Sequence, residues 1–226
     1  MRGTLRGTTR RGGAGVLAAA CAVLAVAGCG SSAPKHAATT PGKQAAAAED
    51  AGGLRGLIPS PLPVKPNFTL PDTAGVPYDF DAETRGKLTY LFFGYTHCPD
   101  ACPATMSYLR YALQMQTPAF RKKVTVVFVT VDPRRDTGPV LRRWLDHYSH
   151  AFVGITGTLK QIGIVEHEAG VPTAIRVSGS ADYQVEHSSI LFVYSPDDRA
   201  HVVYAQGFKP ADYAHDMPIL MKFGAR

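Results

Sequence analysis

The sequence predicts an α/β domain with a central mixed sheet flanked by helices. Three observations predict it. Residues 88–95 and 124–131 are near-continuous apolar runs of strand length, as strands covered on both faces require. The segments after each of these runs carry apolar residues at helical spacing. Residues 189–205 hold two β-rich runs around a turn. Hydrophobic residues make up 45% of the 226, enough for a sizeable core, and this excludes a globally disordered chain.

Taken in order, Phe68-Thr69-Leu70 and residues 76–80 read as short strands around a turn at Gly75. Residues 88–95 follow as the first buried strand. Residues 103–116 form a helix whose apolar positions are Met106, Leu109, Leu113 and Met115. Residues 124–131 are the second buried strand. Thr137-Gly138-Pro139 starts a helix with proline in its first turn, and Val140, Leu141, Trp144, Leu145 and Tyr148 continue it. Thr158 caps another helix with Leu159, Ile162 and Val165 on one face and Gly170 past its end. Residues 183–185 are a short strand. Residues 189–194 and 200–205 make a hairpin around residues 195–198. A last helix starts near Lys209-Pro210, and Pro218 is expected to kink or split it. A βαβ unit, a helix, an antiparallel hairpin and a final helix are in the order of a thioredoxin-like domain.

The N-terminal region has a different character. Arg2, Arg6, Arg10 and Arg11 precede an apolar stretch over residues 14–27, shorter than the ~20 residues a membrane span needs. A basic start, a short apolar run and small residues at the end describe a secretory signal peptide. Val26-Ala27-Gly28-Cys29 resembles the lipobox of bacterial lipoproteins, which implies cleavage before Cys29 and lipidation of that thiol. Arg10-Arg11 also suggests twin-arginine export, although Gly12-Gly13-Ala14 fit that signal poorly. The stretch that follows lacks apolar periodicity and has the composition of a spacer. The expected organisation is a signal peptide over 1–28, a lipid-anchored flexible linker over 29–60 and a folded domain over 61–226. The expected location is the cell membrane, on its extracytoplasmic face.

This partition changes the meaning of the charge. The chain carries 24 Lys and Arg against 18 Asp and Glu, a net +6. Four of the basic residues lie in the signal, which leaves 20 against 18. The basicity then reports export, and the case for a nucleic-acid partner goes with it. The four cysteines divide likewise: Cys21 falls in the signal, Cys29 is the lipidation candidate, and only Cys98 and Cys102 remain in the domain.

Those two thiols stand in Phe93-Gly94-Tyr95-Thr96-His97-Cys98-Pro99-Asp100-Ala101-Cys102-Pro103, where the first buried strand gives way to a helix. Unpaired N–H groups and the dipole at a helix start favour an anion, so the thiolate of Cys102 is expected to be stabilised. A disulfide across so short a loop would stabilise little, so the pair reads as functional. The spacing is C-x-x-x-C, wider than the C-x-x-C of thioredoxins, and it can admit a metal between the sulfurs. Two thiolates plus one imidazole make a soft three-ligand set that suits copper and leaves the ion incompletely enclosed. A structural zinc would require a fourth protein ligand.

The junction resembles the signature of the SCO/SenC family, the copper-binding assembly factors of cytochrome c oxidase. Val131-Asp132-Pro133-Arg134-Arg135-Asp136-Thr137 resembles the family's second motif. Glu186-His187-Ser188-Ser189 resembles its third, with Glu186 where the family usually has Asp. The resemblance runs from about Pro66 to Phe223. It implies a thioredoxin-like fold with an added hairpin before the ligand histidine, and copper (Cu+ or Cu2+) held by Cys98, Cys102 and His187. Asp198 stands where a turn glycine is common, so that turn is expected to differ.

Other residues rank below these three. On position alone, His187 would be an ordinary surface or core histidine, but the loop before the apolar run 190–194 faces the cysteine loop in thioredoxin-like folds. Val171-Pro172-Thr173 imitates the cis-proline motif of thioredoxins and reads as an ordinary extended loop. His97 is expected to orient the cysteine loop. His147 and His150 read as solvated, and Asp132 and Arg134 as supports of the loop beside the site.

Two functions follow. The first is a membrane-tethered copper chaperone, not an enzyme, that serves the copper-bearing subunit of cytochrome c oxidase and requires an extracytoplasmic thioredoxin-like reductant. The second is a thiol–disulfide oxidoreductase that cycles a Cys98–Cys102 disulfide and does not need His187. A peroxidase fits poorly, because Thr96 stands only two residues before Cys98.

Overall fold

The computed structural model describes residues 53–177 and 182–224. The expected signal peptide and Cys29 lie outside the described residues. The elements in chain order are β1 (Thr69–Pro71), β2 (Pro77–Asp79), α1 (Phe80–Thr84), β3 (Leu88–Gly94), α2 (Ala101–Gln114), α3 (Pro118–Arg121), β4 (Val124–Thr130) and α4 (Gly138–Asp146). There follow β5 (Val153–Ile155), α5 (Leu159–Glu168), β6 (Ile175–Val177), β7 (Gln184–Glu186), β8 (Leu191–Tyr194), β9 (Ala200–Tyr204) and α6 (Pro210–Leu220).

A five-stranded sheet in the order β5-β4-β3-β8-β9 forms the centre. β3, β4 and β5 run parallel, while β8 and β9 are antiparallel to their neighbours. This is the mixed thioredoxin-like sheet that the order of elements predicts. All seven residues of β3 are buried, which explains why its sequence lacks polar alternation. Phe92 on β3 lies beside Phe128 on β4, and Phe128 packs on Trp144 of α4 at 5.0 Å between ring centres. Each large side chain buried in this way contributes about 1.5–3 kcal/mol.

The helix starts follow the sequence signals. Thr158 accepts from the Gln161 amide while the Gln161 side chain accepts from the Thr158 amide, a reciprocal cap that fixes the start of α5. Thr137 precedes α4 with Pro139 in the first turn. The α6 helix runs through Pro218 as one element. Proline there stands in the last turn, so little of the helix lies beyond the lost hydrogen bond, and the expected split does not occur. Three short elements, α1, α3 and β5, were too brief to stand out in the sequence. The two-stranded pair β6–β7 is the added hairpin before His187. Asp198 takes the expected glycine position with φ 61°, and its carboxylate pairs with Lys65.

Residues 54–65 form a strap along the outer edge of β9. Leu57 exchanges both backbone hydrogen bonds with Val203, and Lys65 N–H donates to the Asp198 carbonyl at 2.8 Å. Residues 54–60 have the composition of the linker, yet they pack here. The buried carboxylate of Asp216 on α6 accepts from the amides of Arg55 and Gly56 and from the Tyr204 hydroxyl, each at 2.8–2.9 Å. Gly56 is required by close approach: a Cβ there would lie 2.2 Å from Val202 Cγ1. At the opposite edge, Thr156 N–H donates to the Pro71 carbonyl and Asp72 bridges Ile155, so the β1 segment covers β5. Among the described residues no helix is long and apolar enough to cross a membrane.

The strap yields a direct test. Asp216→Ala leaves two backbone amides and a buried tyrosine hydroxyl without their acceptor. The expected loss is about 2–4 kcal/mol by urea denaturation. Arg55→Ala keeps the amide and removes only an exposed 3.4 Å ion pair, so it should change the urea midpoint little.

Candidate metal centre

The centre is built where β3 ends. Gly94 is the last residue of β3, residues 95–100 form a loop, and α2 begins at Ala101, which places Cys102 in its first turn. Gly94 makes the close approach possible. A Cβ at this position would lie 2.7 Å from Cys102 Sγ and 2.9 Å from the rings of Phe92 and Phe128. Cys102 is fully buried while Cys98 is only partly so.

The third member arrives from the other side of the sheet order. His187 stands between β7 and β8, and β8 pairs directly with β3. Its Nε2 lies 3.6 Å from Cys102 Sγ. Its Nδ1 lies 2.9 Å from the Ser188 carbonyl. A carbonyl only accepts, so Nδ1 carries a proton and Nε2 faces the sulfurs; with a proton Nε2 donates to Cys98, and without one it offers its lone pair to a metal. The edges of Phe92 and Tyr95 meet the imidazole at 6.2 and 5.4 Å and hold its plane. One ligand atom from each of Cys98, Cys102 and His187 lies within 4.8 Å of the other two. The three residues that the motifs single out therefore form one cluster.

The two cysteines are unequal. The Cys102 amide, one of the free N–H groups of the α2 start, points at Cys98 Sγ at 3.4 Å. The Cys102 thiol and His187 also donate to Cys98, and together these lower its pKa to about 4 against the cost of burial. Burial pushes the Cys102 thiol up, and the negative Cys98 sulfur beside it adds to the rise. The Cys102 thiol does most to stabilise the thiolate of Cys98, and the free amide of the helix start adds to it. The expectation that Cys102 would be the thiolate is corrected: its amide faces away from its own sulfur, which sits in the apolar core. Burial lowers the His187 pKa, but hydrogen bonds to the Cys98 sulfur and the Ser188 carbonyl outweigh it and leave a net rise.

A second tier ties the hairpin to the cysteine loop. Tyr95 donates to the Gln184 side chain at 2.8 Å and accepts from the Val185 amide. Asp132 accepts from the Tyr183 hydroxyl and the Arg135 guanidinium, and Arg135 and Arg176 both lie over the Tyr183 ring, at 3.7 and 4.1 Å. Asp132 thus braces the hairpin. The guanidinium it pairs with belongs to Arg135, while Arg134 is exposed. Sequence reasoning missed Arg135, Tyr183 and Asp136; only their place in or beside the motifs signalled them.

The remaining candidates stay apart. The half-exposed His97 bonds to Thr96 and is not in the cluster. His147 and His150 are exposed and turn to Trp144 and Asp146. The Val171–Pro172 peptide is trans, and Pro172 walls an open cleft of about 270 Å³ beside His187. A larger cavity, about 510 Å³, lies between α2, α3, β4 and the segment after α4 and includes none of the three ligands.

Comparison with known proteins agrees with this geometry. Residues 59–222 match the SCO1/SenC family. The mitochondrial protein SCO2 of Saccharomyces cerevisiae is 33% identical over 132 residues, which cover 58% of this chain and 44% of the yeast protein. The chain thus spans less than half the length of that curated relative. A copper-bound structure of Bradyrhizobium japonicum ScoI is 28% identical with a TM-score of 0.62, over 70% of this chain and 99% of that one. A copper-bound ScoI from Arabidopsis thaliana is 25% identical with a TM-score of 0.63, over 71% and 99%. Most of the described domain is covered by the family match, and the chain belongs to the SCO1/SenC family.

Proposed function

We propose that this chain is a membrane-tethered, extracytoplasmic copper chaperone that binds one copper ion through Cys98, Cys102 and His187. The observation that carries this reading is the convergence of two sulfurs and one imidazole nitrogen within 4.8 Å. Two thiolates and a neutral imidazole are a soft donor set suited to copper. A partly exposed Cys98 leaves one side of the ion open to a competing ligand. The recipient in this reading is the dinuclear copper site of cytochrome c oxidase. The tether is lipidated Cys29 followed by the linker, and an extracytoplasmic thioredoxin-like protein keeps the cysteines reduced.

Proton balance follows from the unequal cysteines. Cys98 is already a thiolate at neutral pH, so copper uptake displaces the proton of Cys102. Where the pH falls below the raised pKa of His187, a second proton must leave.

One observation favours a second reading as a thiol–disulfide oxidoreductase. A low-pKa Cys98 beside a protonated Cys102 is the arrangement of an attacking and a resolving thiol.

Three measurements test these readings. In a competition titration with a chromophoric chelator, Cys98→Ala and Cys102→Ala should abolish tight Cu(I) binding, and His187→Ala should weaken it by about tenfold or more. A His187→Ala protein that binds as tightly as wild type, with efficient disulfide reduction by both, would leave the oxidoreductase in possession. The pH dependence has a definite sign. Affinity should fall by about tenfold for each pH unit lowered near neutrality, one proton's worth, and more steeply once His187 protonates. Third, alkylation of reduced protein by iodoacetamide should modify Cys98 at a rate nearly constant from about pH 5 to about pH 8. A rate climbing tenfold per unit across that range would show an ordinary thiol.

A further inference from the structure

Behind the cysteine loop lies a carboxylate that the copper reading has not used. Asp136 follows β4 and its side chain is fully buried. Its Oδ2 accepts from the Thr96 amide at 2.9 Å and from the Thr130 hydroxyl at 2.6 Å, and its Oδ1 accepts from the Thr96 hydroxyl. Thr130 is committed as the donor, because its oxygen also accepts from the Asp132 amide at 3.0 Å. The nearest basic side chain is the half-exposed His97 ring, whose Nδ1 lies 3.8 Å away and bonds to the Thr96 oxygen. Arg135 is engaged with Asp132. Asp136 is therefore a buried acid held by three neutral donors, an arrangement that a neutral residue of the same shape would make less costly.

Its position gives it a task. Thr96 stands two residues before Cys98, and the Cys98 amide closes a turn onto the Tyr95 carbonyl at 3.2 Å. Through two bonds to Thr96 and one to Thr130, Asp136 locks this turn to the end of β4. Its charge also reaches the cluster, where it adds to the rise of the buried Cys102 thiol. Two thiolates and a neutral imidazole give a Cu(I) complex a net charge of −1 and a Cu(II) complex a net charge of zero. A fixed negative charge nearby disfavours the first relative to the second.

We propose that Asp136 is a positioning residue of the metal centre, which presets Cys98 against Cys102 and His187 and biases bound copper toward the oxidised ion. This rests on the copper reading of the same site. The two roles separate by substitution. In Asp136→Asn, one amide oxygen can take the place of Oδ2 and the amide nitrogen can donate to the Thr96 hydroxyl, so shape is kept and charge is lost. In Asp136→Ala the lock itself is lost.

The test uses the full-length chain in detergent, with folding of each variant followed by circular dichroism. Cu(I) and Cu(II) affinities are measured by chelator competition. The copper-free Cys98–Cys102 couple is measured by equilibration with reduced and oxidised glutathione. Asp136→Asn should lower the ratio of Cu(II) to Cu(I) affinity by about tenfold, a rise of about 59 mV in midpoint potential. The glutathione balance should move in the same sense, several-fold toward the dithiol, because reduction places a thiolate near the lost charge. Asp136→Ala should weaken binding of both ions by about tenfold. An Asn variant with a wild-type ratio and a wild-type glutathione balance overturns the electrostatic role. An Ala variant that folds and binds with wild-type affinity overturns the positioning role; if it fails to fold, the Asn variant still decides the proposal. Should the wild-type protein bind no copper, the copper reading falls, and the glutathione balance alone decides the part played by Asp136.

Discussion

The metal centre depends on how closely the first turn of α2 approaches the end of β3. Cys102 Sγ occupies the space where a side chain at position 94 would stand. Only glycine lets the sulfur reach the sheet. That contact draws the α2 start over the end of a strand buried on both faces, and the strand in turn fixes β8 and the residue that precedes it. Because β3 pairs with β4 on one side and β8 on the other, the cysteine loop, the Asp132–Asp136 loop and His187 emerge side by side at one end of the sheet. The core supplies the geometry, and the loops need only carry the donors.

The chemistry that results is asymmetric. A single helix start offers its free amides to one anion, and the loop places Cys98 there while Cys102 is enclosed in apolar surroundings. The pair therefore holds one thiolate and one thiol instead of two equivalent ligands. The hairpin β6–β7 adds a second constraint: Tyr95 and the Asp132–Tyr183–Arg135 group tie it to both site loops. A histidine on so short a connection would otherwise sample many positions, and this bracing offsets part of the ordering cost.

Much of this was legible in the sequence, for identifiable reasons. Strands β3 and β4 are unbroken apolar runs because they are central and parallel. Thr158 and Gln161 advertise the start of α5 through a local capping pattern. The three ligands sit in short motifs, so their chemistry could be named before their distances. What escaped was set by tertiary contacts. Residues 54–60 have the composition of a spacer, and they pack only because Asp216, some 160 residues away, accepts their amides. Pro218 breaks no helix because only the final turn follows it. The roles of Cys98 and Cys102 were exchanged in expectation because spacing places both near a helix start but does not say which sulfur its amides face. Asp136 is one acid among 18 acidic residues until its burial is known.

The strap along β9 and the β1 segment along β5 have a consequence for the protein's behaviour among its own copies. An exposed sheet margin presents unpaired amides and carbonyls, which can recruit another chain and begin fibrous assembly. Here both margins of the central sheet are occupied by segments of the same chain. Were the chain anchored through Cys29 as proposed, its copies would be crowded into a thin layer, where chance encounters between domains are frequent. With its margins sealed, the domain can tolerate that density without offering its sheet for extension, and colloidal stability comes from the same residues that close the fold.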